Sequence, residues 1–148
     1  MGAEFDAATY GQLANATSHT ISHTCSGSNR MLYVFIGGSS ANVAASNVTY
    51  NGVSLSDRGS VTNGGDVLVE LWVWDAGVNG EVPSGAHDVV ATFPSSTDIG
   101  IGAMSFKGAL QDFPSSVPTN TGNSATPSIA IPSDGVRLPQ EWLAQSTI

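Results

Sequence analysis

The sequence predicts an all-β fold: two antiparallel sheets packed face to face as a β-sandwich, in jelly-roll or immunoglobulin-like order. Three observations predict it. Short apolar runs alternate with turn signals about every ten residues, the spacing of sandwiches and barrels. The composition is dominated by Gly, Ser, Thr, Asn, Val and Ala, residues that suit pleated surfaces and tight turns better than helices. Third, Asn51-Gly52 lies between two alternating runs, and that pair supplies the positive φ angles of a two-residue hairpin turn. A chain of 148 residues suits a single domain with a real hydrophobic core.

Taken in order, "ATSHTISHT" (16–24) alternates, with His19, Ile21 and His23 on one side and hydroxyls on the other. "RMLYVFIGG" (30–38) is continuously apolar, as in a central strand covered on both faces. "SNVTYNGVSLS" (46–56) is the hairpin. "DVLVELWVWD" (66–75) is the next strand, and its two faces differ. Val67, Val69, Leu71 and Val73 form a purely apolar face, the expected core side; Leu68, Glu70, Trp72 and Trp74 form the other. "AGVNGEVPSG" reads as a loop, and "AHDVVATF" (86–93) and "IGIGAMSFKG" (99–108) read as two further strands. Gly100 and Gly102 share a face in the second, which suggests a bulge or the close approach of another layer. A long polar connection (109–127) precedes a short strand, "SIAIP" (128–132).

These strands place the sandwich domain at residues 1–135. The expected core is Leu32, Val34, Ile36, Val48, Val67, Val69, Leu71, Val73, Val90, Ile101 and Phe106. Residues 136–148 form an atypical tail, in which Pro139 opens a run of good helix formers suited to one helical turn.

Several stretches together, "SHTCSGSNRMLYVFIGG", "NVTYNGVSLS", "VELWVWD" and "GAMSFKG", resemble a β-sandwich module that recurs in secreted bacterial surface proteins and phage structural proteins. The resemblance covers about residues 5–132. It implies a non-catalytic structural or adhesive role, at an extracellular location or on a virion surface, and it maps no catalytic residue onto this chain. Members continue with further strands where this chain ends in "DGVRLPQEWLAQSTI", so the sandwich reads as truncated or terminally replaced. Exposed sheet edges invite pairing. The expected partner is therefore a second copy or a neighbouring chain, or else the tail folded back on Trp142 and Leu143.

Charge narrows the function classes. Only 11% of residues are charged, with twelve acidic against four basic. No basic cluster exists to neutralise phosphates, which argues against nucleic acid, and no apolar run is long enough for a membrane-spanning helix. The first residues, "MGAEFDAATY", are no signal peptide.

Trp72, Trp74 and Glu70 are the candidate ligand-binding residues. Aromatics two apart on a strand project about 7 Å from each other, close to the size of a sugar ring, and Glu70 beside them would accept hydroxyl hydrogen bonds. Exposed, they would make a carbohydrate-binding shelf; covered, they are core. No GxSxG elbow is present, so an enzyme would need a carboxylate pair, with Glu70, Asp75 and Asp88 as candidates for glycoside hydrolysis. His19 and His23 stand roughly 13 Å apart on a strand, too far to share an ion, and no zinc spacing occurs. Calcium stays open through the oxygen donors of "SDRGSVTNGGD" (56–66). Cys25 is alone, so no internal disulfide forms; it reads as a small buried side chain.

Overall fold

The computed structural model describes residues 2–38, 43–63 and 67–111. The expected strand at 128–132, the tail from 136 with Trp142 and Leu143, and Gly64 to Asp66 of the calcium candidate segment lie outside them. The described chain is mostly β, with almost no helix, and its sheet is nearly closed into a barrel.

Among the described residues seven strands run in the order β1 (Glu4–Cys25), β2 (Met31–Gly38), β3 (Asn47–Tyr50), β4 (Val53–Ser54), β5 (Ser56–Asn63), β6 (Val67–Val73) and β7 (Gly85–Lys107). One helical turn, α1 (Ala76–Asn79), precedes β7 and starts where the Asp75 side chain accepts from the Gly77 N–H. The lateral order is β4-β3-β7-β2-β6-β5, with β1 on β7. Leu55 alone separates β4 from β5, so the two ends of the sheet are consecutive in the chain. That continuity bends the sheet round towards closure.

Two strands are far longer than the usual five or six residues or so. β1 has 22 residues and β7 has 23, and they pair antiparallel over both halves, from Glu4↔Lys107 to Cys25↔Gly85. The segments 86–93 and 99–108, expected as two strands, are therefore one. Between them the register jumps from Ala16↔Thr97 to Ser18↔Thr92, so β7 bulges around Pro94. Proline has no N–H to offer a ladder and is tolerated where the ladder is interrupted. Past the bulge, the second half of β7 also pairs with β2, from Met31↔Phe106 to Gly38↔Ile99, and the first half pairs with β3.

The Asn51-Gly52 hairpin forms as expected. Both residues have positive φ, 51° and 75°, and Tyr50 pairs with Val53 across the turn. Arg30 pins the turn before β2, donating through Nε to the Val82 carbonyl at 2.6 Å and pairing with Glu81 at 3.3 Å.

The core comprises Leu32, Val34, Ile36, Val48, Tyr50, Val89, Ala91, Phe93, Ile99 and Ile101 among others. On β6 the expected faces are exchanged. Leu68, Glu70, Trp72 and Trp74 point inward, while Val67 is 48% and Val69 43% exposed; Leu71 is half-buried and only Val73 of the expected set is buried. Register explains the exchange, since Glu70 stands opposite Ile36 and Trp72 opposite Val34, both inward. Two indoles bury more area than two valines, and inside a nearly closed sheet that volume has to be filled. The same one-residue ambiguity corrects β7, where Val89 is buried and Val90 half-buried. Phe106 is half-buried rather than core.

The orientation of β6 is tested by two substitutions. Trp72→Ala should cost about 3–5 kcal/mol, whereas Val69→Thr should stay within about 0.5 kcal/mol, both read from urea midpoints. Equal losses at the two positions would contradict the exchanged faces.

Candidate functional site

Among the described residues, chemistry-bearing side chains gather in three places: the inner face of β6, the seam where β1 meets itself, and the outer face of β1, β7, β2 and β6.

The inner face of β6 holds the residues that the sequence singled out. Trp72 is 7% exposed and Trp74 2%, so they form no exposed shelf. Trp74 meets Tyr50 edge to face at 6.1 Å and donates through Nε1 to the Gly80 carbonyl at 2.7 Å. Trp72 Nε1 is buried without a partner among the described residues. Glu70 is buried and accepts the Ala45 N–H at 2.9 Å. Burial pushes its carboxyl above the ordinary value of 4.5; the Ala45 hydrogen bond opposes this and Asp57 adds to it.

The three candidate carboxylates do not converge. Glu70 faces inward, Asp75 caps α1 and pairs with Arg58 at 3.2 Å, and Asp88 is exposed on β7. In the calcium candidate segment, Asp57 accepts from the Gly59 N–H at 2.7 Å. No group of three or more His, Cys, Asp or Glu among the described residues is placed to hold a metal ion.

The seam is formed because β1 bends with β7 and brings its own halves together. Asp6 accepts from the Ser26 N–H at 2.8 Å, from the Ser26 hydroxyl, and from the Ser105 hydroxyl at 2.8 Å. Burial would raise the Asp6 carboxyl, yet the bonds from Ser26 and Ser105 outweigh it and hold the carboxyl below its ordinary value. His23 is fully buried, with Nδ1 3.0 Å from the Thr9 hydroxyl and Nε2 unpartnered among the described residues. Gly11 lies so close to the other half of β1 that a Cβ there would stand 2.6 Å from Ile21 Cγ2 and 2.8 Å from His19 Nε2. Cys25 is 1% exposed, and burial raises its thiol above the ordinary value.

The outer face is apolar and open. Tyr10, Gly102, Phe35 and Leu71 stand in one cross-strand row, and Gln12, Gly100, Gly37 and Val69 in the next. Tyr10 is 84% and Phe35 42% exposed. Among the described residues no other layer approaches the glycine pair at 100 and 102: a Cβ at Gly102 would meet nothing within 4 Å, and one at Gly100 only the Gly37 carbonyl at 3.7 Å. The glycines instead floor a trough between Tyr10 and Phe35. Their shared face was legible in the sequence; the aromatic walls, contributed by strands distant in sequence, were not.

Family models, curated proteins and solved structures were all compared with the chain, and none matches it.

A carboxyl whose pKa rises on folding leaves stability intact below its unfolded value and lowers it as pH climbs through the folded value. Glu70→Gln keeps an acceptor for Ala45 and removes the charge. Thermal melts should therefore show the variant more stable than the wild type at pH 7.5, with the gain vanishing at pH 4; a gain equal at both would show that burial of the carboxylate is not its origin.

Proposed function

We propose that this domain is a non-catalytic structural or adhesive β-module of a secreted or virion-surface protein, working through its outer apolar face. In this reading the strands form two facing layers of a sandwich, with the bent β1–β7 ribbon shared between them. The observation that carries the proposal is the inversion of β6. Its aromatics and its carboxylate are spent on the interior, while Val67, Val69, Phe35 and Tyr10 are left in water. A contiguous exposed apolar face on a soluble domain marks a contact surface more often than an accident of packing. The dispersal of Glu70, Asp75 and Asp88 supports a binding role over hydrolysis, because glycoside chemistry needs two carboxyls across one bond.

The occupant of this face is proposed to be a second copy of the chain or a neighbouring chain of the same assembly. The face carries few charges to orient a strongly ionic partner, and the domain's acidity (net charge −8) is compatible with contact only where charge is sparse. A glycan-binding reading moves from the indoles to Tyr10 and Phe35, the exposed aromatics of the trough.

Light scattering across a concentration series tests the proposal. The wild-type chain should self-associate, and Tyr10→Ser with Phe35→Ser should weaken association by about tenfold or more, as truncation of aromatic interface anchors does. A wild-type chain that stays monomeric and instead gives a glycan-array signal lost in the double variant would replace the structural reading with the carbohydrate-binding one.

A further inference from the structure

The seam of β1 contains a titratable group whose contacts serve no part of the surface just described. His23 belongs to the second half of β1, yet its side-chain partner, Thr9, belongs to the first. A second tie runs from Asp6 in the first half to Ser26, the residue that follows the second half. Each tie depends on a side chain, Thr9 and His23 in one and Asp6 in the other, whereas the backbone-to-backbone pairing of each half is with β7. The two halves can therefore part without breaking the β1–β7 ladder.

We propose that His23 is an acid-triggered latch: on taking a proton from solvent it parts the two halves of β1 and opens the seam over Cys25.

The geometry gives the protonated ring no place to stay. An imidazolium has two N–H donors. Nδ1 reaches Thr9, but Nε2 has no acceptor among the described residues, and a buried charge without a partner is expensive. In the β1–β7 register His23 stands directly opposite His87, not a carboxylate.

The other ionisable groups around it do not undo this. Asp6 favours the charged ring, but its oxygens are already taken by Ser26 and Ser105. Tyr50 accompanies His23 through its hydroxyl, which donates to the His23 carbonyl at 3.3 Å and so offers the ring nothing. Cys25 and His19 lie on the same inward face of β1, and Arg30 is a cation acting on Cys25 and Tyr50.

The direction with pH follows. Burial lowers the His23 pKa below its ordinary 6.5, with Asp6 opposing. A histidine depressed in this way contributes its full stability above pH 6.5, and that stability is lost as pH falls below it towards the closed-state value. Asp6, held below its ordinary 3.8, loses its contribution only at much lower pH, so the histidine acts first.

Cys25 is a built-in reporter: it is the single cysteine of the chain, 1% exposed, and close enough to the seam for Ser105 and Asp6 to act on its thiol. Its labelling by 4,4′-dithiodipyridine, which reacts in mild acid, is measured at pH 7.5 and pH 5.0 relative to the urea-unfolded chain at the same pH. The relative rate should rise by up to about tenfold per pH unit for one proton, with the far-ultraviolet circular dichroism unchanged. His23→Gln should abolish the rise. A thiol equally protected at both pH values, a rise accompanied by loss of the dichroism signal, or a rise that persists in a folded His23→Gln chain would each overturn the latch. Should that variant fail to fold, the wild type decides alone: the His23 Cε1 chemical shift must titrate with the midpoint of the labelling rate, and a different midpoint overturns the proposal.

Discussion

The antiparallel pairing of β1 with β7 over both halves is the constraint on which the rest of the structure depends. Because the two strands stay paired from Glu4↔Lys107 to Cys25↔Gly85, the bend forced at Ala16 and Pro94 acts on both at once. It turns one half of the ribbon to receive β2 and the other to receive β3. With β4 running into β5 through Leu55 on the far side, the sheet has no course but to curl towards closure. The interior that results is fixed in volume, and the choice of side chains on every other strand answers to it.

That volume decides β6. A strand with valines on one face and indoles on the other can be seated either way by hydrophobicity alone. The register with β2 seats it with Trp72 opposite Val34 and Glu70 opposite Ile36. Large aromatics then fill the interior, and a buried carboxyl comes with them at a cost that one hydrogen bond from Ala45 only partly offsets. The valines, displaced outward, join Phe35 and Tyr10 around the glycine trough. The apolar outer face is thus the other side of the same register choice.

What could be read from the sequence follows the range of the interaction responsible. The Asn51-Gly52 turn was legible because its φ angles are local and few other residue pairs adopt them. The all-β character was legible because alternation and turn residues recur along the chain. The inner face of β6 was not, since both of its faces are apolar and only the partner strand breaks the tie. Nor was the unity of β7: Pro94-Ser95-Ser96 reads locally as a turn, and only pairing with β1 carries the strand across it. The seam was least legible of all. It joins Asp6 to Ser26 and Ser105, and Thr9 to His23, through a bend that no short window contains.

The seam brings a satisfied and an unsatisfied polar group together. A buried polar network rigidifies a fold when every member is satisfied and becomes its weakest point when one is not. Asp6 belongs to the first kind, with three donors on two oxygens; His23, with Nε2 bare, belongs to the second. Placing the two within one seam makes closure firm while the ring is neutral and gives it a defined point of failure once the ring is charged. An apolar pair at positions 9 and 23 would have packed the same bend without that dependence. The polar choice therefore exchanges some stability for control over when the ribbon opens, on the same β1 strand whose outer face carries Tyr10.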